Sequence, residues 1–154
     1  MAPKPGLASS RGFALTFPQP QPKDPIWRFT GLEGLSMWME GDELHAGGDN
    51  GSSHYLPTLM KYKPLVLSRP TSEDTPAMCQ WVIDNMKNPM PRTGRVSVYV
   101  NEPKSPLFVI EFYDLVPVAW RGPTLSTESH VVASEEIEFV HRGFKFLTEK
   151  EKTE

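Results

Sequence analysis

Between Gly94 and Phe146 the chain alternates apolar and polar side chains in three separate runs, a period of two that suits a half-buried β-strand and not a helix. The runs are Gly94-Arg-Val-Ser-Val-Tyr-Val-Asn101, Leu107-Phe-Val-Ile-Glu-Phe-Tyr-Asp114 and Ala133-Ser-Glu-Glu-Ile-Glu-Phe-Val-His141, with a turn at Arg121-Gly-Pro123 before the last. This half holds no nucleophile motif, metal-ligand spacing or phosphate loop, so it points to a building block and away from a catalyst.

The upstream half is shorter-paced. Six of the sixteen prolines, at positions 3, 5, 18, 20, 22 and 25, remove backbone donors from residues 1–25 and leave only Gly12–Phe17 able to pair, with Phe13, Leu15 and Phe17 on one face. Pro18–Pro22 is predicted to be an extended, polyproline-like spacer between two edge strands, and Pro18–Pro25 to break up the first hairpin. Ile26–Thr30 is a second apolar run. In Leu35–Gly41, Leu35, Met37 and Met39 share one face while Ser36, Trp38 and Glu40 share the other. Trp38 then sits on the wrong face for a simple core, which leaves cover by a loop or contact with another subunit. Ala46-Gly-Gly-Asp-Asn-Gly-Ser-Ser53 suits a hairpin tip, and Leu65-Val-Leu67 within Tyr62–Ser68 is predicted to be covered on both sides.

One segment reads as helical. Thr75 is the expected cap and Pro76 the first helical residue. Met78, Trp81, Val82 and Met86 form a stripe for the sheet, and the helix stops before Pro89. The charged end, Thr148–Glu154, has no apolar face and is predicted to fray. The expected organisation is a proline-rich segment (1–25), a mainly β domain (26–147) and a disordered tail (148–154). The expected fold is an antiparallel β-sandwich or barrel with one α-helix.

Sixteen Lys and Arg against nineteen Asp and Glu give a net charge of −3 with both signs scattered, unlike a nucleic-acid footprint. Cys79 has no partner for an intrachain disulfide, the opening Met-Ala-Pro-Lys-Pro is not expected to act as a secretory leader, and no apolar run is long enough to span a bilayer. The sequon at Asn50-Gly-Ser52 is therefore read as a turn. His45, His54, His130 and His141 lack metal-ligand spacing, although His45 and His54 could meet across a hairpin. Glu136 and Glu138 share a strand face opposite Glu135, and a solvated face explains them better than an acid–base pair. No catalytic, cofactor or metal residue is assigned.

In order and spacing, several pieces resemble the tail-tube family of contractile phages and phage-like injection systems. They are Gly47-Gly-Asp-Asn-Gly51 with His54-Tyr-Leu-Pro57, Lys61-Tyr-Lys-Pro-Leu-Val-Leu-Ser-Arg69, the Trp81 helix, Val116-Pro-Val-Ala-Trp-Arg-Gly-Pro123, and Ser134-Glu-Glu-Ile-Glu-Phe-Val-His-Arg-Gly143. The resemblance, from about Ile26 to Phe146, implies a non-enzymatic subunit of stacked hexameric rings forming a hollow inner tube. It implies partnership with sheath, baseplate or spike, and tube-end proteins, with cargo or tape protein in the lumen. It also implies assembly in the cytoplasm before incorporation into a virion or injection particle. On that basis the Leu35–Tyr55 hairpin is the expected docking element, with Trp38, Glu40, Gly47, Gly48, Asp49, Asn50 and Gly51 as interface candidates. Glu136 and Glu138, or Ser97 and Tyr99, are lumen candidates. A tube initiator or terminator and a small ligand-binding β-barrel are the alternatives.

Overall fold

Pairing closes the sheet on itself at a single residue. The computed structural model describes residues 12–22, 24–45, 47–48, 51, 53–100, 105–128 and 130–152, with the backbone alone at 45 and 53. The strands are β1 (Gly12–Thr16), β2 (Trp27–Phe29), β3 (Gly31–Glu33), β4 (Met37–His45), β5 (Ser53–Tyr62), β6 (Leu65–Pro70), β7 (Arg92–Tyr99), β8 (Phe108–Arg121), β9 (Ser134–Val140) and β10 (Phe144–Phe146), with α1 (Thr75–Lys87) between β6 and β7. The main sheet runs β2-β1-β7-β8-β9-β6-β3, and β10 pairs with β8. Its two end strands are separated only by Thr30, whose N–H donates to the Ser68 carbonyl at 2.9 Å. One bent stretch thus pairs with β1 on one side and β6 on the other, producing a barrel. Each end strand thus gains one partner within the chain, β2 from β1 and β3 from β6.

The alternating runs become strands whose inward residues fill this barrel. Leu15, Phe29, Leu67, Val96, Ile110, Phe112, Ile137 and Phe139 are buried together, and Met78, Trp81 and Val82 from α1 join them. Burying each large side chain contributes about 1.5–3 kcal/mol, so this cluster dominates stability. Four details differ from the sequence expectation. Val66 is only half-buried, because β6 turns Leu65, Leu67 and Arg69 inward. Met86 lies beyond the buried stripe and is exposed. Asp74 takes the cap position without a side-chain bond, since the Thr75 hydroxyl is turned to Glu135. Finally, β8 runs on through Pro117, which its missing N–H would forbid in a regular ladder; the register shifts between Pro117 and Ala119.

Two carboxylates lock the layers. Glu135, nearly inaccessible, accepts bonds from Arg69 Nε (2.7 Å), the Thr75 hydroxyl (2.9 Å) and Trp120 Nε1 (3.2 Å), tying β6, α1, β8 and β9 together. Asp24 takes both Nη atoms of Arg92 at 2.5 and 2.6 Å, and also accepts from Trp81 Nε1 and the Gln21 N–H. The guanidinium lies 3.9 Å over the Phe17 ring. The Asp24 N–H returns to the Gln21 carbonyl at 2.9 Å, so the proline-rich connector contains a turn where an extended spacer was expected. The pairing of Phe13–Leu15 with Trp27–Phe29 also shows the first hairpin to be intact. At the other end Thr148–Lys152 forms a turn where fraying was expected. The Thr148 N–H and hydroxyl and Lys145 bind Glu151, holding its pKa down to about 2.

Burial pushes the Asp24 carboxyl up, but the bonds from Arg92, Gln21 and Trp81 and the Arg92 charge outweigh it, leaving the pKa below 3.8. A carboxylate depressed by folding adds stability above its unfolded pKa and loses it as pH falls through the folded value. Asp24→Asn is expected to cost about 3 kcal/mol at neutral pH by leaving Arg92 charged and unpaired. It should also flatten the decline of urea-unfolding free energy below about pH 4; an unchanged decline in the variant would contradict this role.

Candidate assembly interface

β4 and β5 form a separate two-stranded sheet that projects as an arm and packs on little besides itself. Its register runs from Met37↔Tyr62 to His45↔Ser53 and slips once, between Glu40↔Leu59 and Gly41↔Pro57, leaving Thr58 extra. The slip suits Pro57, which has no N–H for a ladder, and the Thr58 hydroxyl caps the Glu40 carbonyl at 3.1 Å. Gly41 is required here. A Cβ would stand 2.3 Å from the Leu56 carbonyl and 2.6 Å from the Tyr55 ring, which crosses this position so that its hydroxyl reaches the Met39 carbonyl at 2.7 Å.

Directly paired residues point to the same side of a sheet, so the arm has two unlike faces. One carries Met37, Met39, Glu43, Tyr55, Met60 and Tyr62; the other carries Trp38, Glu40, Asp42, Leu44, His54, Leu56, Leu59 and Lys61. Both are apolar and both face solvent, with Met37, Trp38, Met39, Leu44, Tyr55, Leu56, Leu59 and Met60 between 45% and 58% exposed. Isolated two-stranded sheets are marginal in water, and contiguous apolar faces of this kind mark contact with another molecule.

The root of the arm is fixed from several directions. Gly34 has φ +97°, and a Cβ there would fall 1.9 Å from the Pro64 carbonyl oxygen. The Lys63 N–H donates to Ser36, and the Lys63 carbonyl meets His141 Nε2 at 3.0 Å. Because His141 Nδ1 accepts from the Gly143 N–H, Nε2 carries the proton and donates. The ring lies among Tyr62, Phe112 and Phe144. Burial lowers its pKa, and the bond to the Lys63 carbonyl offsets this only in part.

The site candidates divide clearly. Trp38 and Glu40 come together on one arm face, where Glu40 lies 3.7 Å from Lys61. Gly47 and Gly48 form the tip, with nothing near the position of either Cβ, and Gly51 is exposed on its return side. Asp49 and Asn50 lie outside the described residues. His54 stands opposite Leu44, not His45. Glu136 and Glu138 are on the outward face of β9, both ion-paired to Arg121, and alternate with buried Glu135, Ile137 and Phe139. Sequence reasoning missed the Glu135 and Asp24 networks, whose partners are far away in the chain. A surface groove of about 510 Å³ beside the β8–β9 loop is lined by Arg121, Leu125, Val131, Val132 and Glu136 among others. Among the described residues no three acidic, His or Cys side chains are grouped to hold a metal, and no helix is long and apolar enough to cross a membrane.

From residue 12 to residue 145 the sequence matches the family described as T4-like virus tail tube protein gp19. The chain belongs to this tail tube family. The match begins at β1, so the first strand pair lies inside it. Solved tube-like structures share the fold. A chain of the anti-feeding prophage baseplate, 6-fold symmetrised, is 19% identical with a TM-score of 0.70, over 95% of this chain and 97% of that one. A chain of the sheath-tube complex of the PVC extracellular contractile injection system in its extended state is 14% identical with a TM-score of 0.70, over 88% of each chain. Hcp1 from Flavobacterium johnsoniae is 14% identical with a TM-score of 0.58, over 88% and 94%. No curated protein sequence matches. Tail tube proteins are structural, and the interior of this member's barrel is filled by its own side chains.

A histidine held neutral by folding loses its stabilising bonds as pH falls from the unfolded pKa toward the lowered folded one, because protonation sets a second N–H against Gly143. On lowering the pH from about 7 to about 5, hydrogen-exchange protection of the Lys63 amide, corrected for intrinsic rate, is expected to drop relative to Ile110, and His141→Gln should abolish that drop. Equal protection at both pH values would remove His141 from the root.

Proposed function

We propose that this chain is the main subunit of the hollow inner tube of a contractile injection system or phage tail. Six copies form a ring, rings stack, and the contracting sheath drives the tube through a target envelope. Membership in the tail tube family supports this, and the observation that carries the ring-forming step is the arm with two exposed apolar faces. A sheet exposed on both sides is stabilised when neighbours cover both, and Trp38, Glu40 and the glycine tip with Asp49 and Asn50 are the proposed contact residues. The similar structures come from a sheath-tube complex, a baseplate and a tube-terminating cap, which supports sheath, baseplate and cap proteins as the partner classes. Assembly in the cytoplasm precedes incorporation into the particle.

Glu136 and Glu138 are proposed to face the lumen. With Arg121 between them they present a polar, internally paired surface along which cargo or tape protein slides without adhering.

Electron microscopy and sedimentation of the purified chain test the reading: rings and tubes are expected. Met39→Asp combined with Leu59→Asp places one charge on each arm face. It should leave the folded monomer within about 1 kcal/mol of native stability while preventing ring formation. A native protein that stays monomeric with its baseplate partners present refutes the proposal, and single rings that never elongate identify a tube-end adaptor instead.

A further inference from the structure

Three of the seven methionines stand together on one side of the arm. Met39 is directly opposite Met60, and Met37, two residues earlier on the same strand, is opposite Tyr62, so the four side chains share a face. Met37 is 58% exposed, Met39 47% and Met60 46%, whereas Met78 in the core is wholly inaccessible. The three are not equivalent. The Tyr62 hydroxyl donates to the Met60 sulfur at 3.0 Å and engages one of its lone pairs, while among the described residues no hydrogen bond reaches the sulfur of Met37 or Met39. Met86 and Met90 are exposed too, but on α1 and in its connection to β7, outside the arm. A thioether packs as an apolar, polarisable group, yet among apolar side chains it is the one a mild oxidant turns polar.

We propose that Met37 and Met39 are oxidation sites whose state decides whether a free subunit can enter a ring, with hydrogen peroxide as the oxidant. A sulfur lone pair attacks one peroxide oxygen, the O–O bond breaks and an S–O bond forms. The departing hydroxide takes the proton from the transferred oxygen and leaves as water, so sulfur loses the two electrons that the peroxide gains. The product is a sulfoxide, a polar group that accepts hydrogen bonds and donates none. Covering the arm face then strips water from two such acceptors, which costs binding free energy unless donors meet them. Once a ring has formed, the neighbour that covers this face also keeps peroxide from the sulfurs. Oxidation therefore acts on unassembled copies and spares the finished tube. This inference rests on the tube reading and adds a chemical control to the same arm face.

The test treats the full chain with hydrogen peroxide before assembly and maps sulfoxides by peptide mass spectrometry. Met37 and Met39 should oxidise before Met60, and Met78 should stay reduced, which together with an unchanged circular dichroism spectrum shows that the barrel is folded. The concentration for half-assembly should rise by about tenfold or more, and an enzyme that reduces methionine sulfoxide should restore it to within about threefold of native. Met37→Leu with Met39→Leu keeps the face apolar and should assemble with or without peroxide, whereas Met86→Leu with Met90→Leu should remain sensitive. In a partly oxidised native sample, sulfoxide at Met37 and Met39 should be enriched in the unassembled fraction and depleted in rings, a readout that holds even if the leucine pair fails to assemble. Equal sulfoxide in both fractions, or a leucine pair as sensitive as the native chain, overturns the inference and leaves the tube reading standing. A native chain that forms no rings before any oxidation overturns both.

Discussion

Closure of the barrel at Thr30 is the constraint on which the other features depend. Because one bent stretch pairs with β1 before the corner and β6 after it, each end strand of the main sheet has a partner within the chain. The core then fills with side chains from all around the barrel, and α1 closes over it. The chain between β3 and β6 has no remaining place in that sheet, so β4 and β5 pair only with each other and project outward. A self-contained barrel and an unsupported arm are two results of the same closure.

The buried ion pairs serve geometry more than strength. A desolvated carboxylate is costly unless every lone pair is used, and replacing such a pair by apolar groups is often neutral. Glu135 uses three donors from three different elements, and Asp24 uses donors from a turn, a helix and a strand. These bonds are directional, so they fix where α1 and the β1–β2 connector lie against the barrel, which apolar contacts alone would leave looser.

Period-two alternation made β1, β7, β9 and the first half of β8 legible, and capping chemistry with the Met78–Val82 stripe located α1. Trp38 was legible as a residue on the wrong side for a core, and the structure shows why: its strand has no core side. Closure was not legible, because β2 meets β1 and β3 meets β6 through pairings that nothing in a single strand encodes. Thr75 looked like a cap until Glu135, sixty residues on, claimed its hydroxyl. Val66 looked buried because an apolar run carries no sign of which side stays open. Pro117 obscured the length of β8, since a bulge absorbs a proline that a regular ladder would reject. The polar tail Thr148–Lys152 gained order from hydrogen bonds to Glu151, a signal that hydropathy does not register.

The kink in β5 at Pro57 and Thr58 has a consequence for the subunit before it meets any partner. Two long unpaired strand borders, lined with methionine, leucine and tyrosine, are the usual seeds of fibres, because identical borders zip together without limit. A missing donor at Pro57 and a skipped rung at Thr58 interrupt that repeat half-way along, so two such borders cannot stay matched over their full length. The arm thus offers its flat faces for contact in place of one continuous backbone ladder.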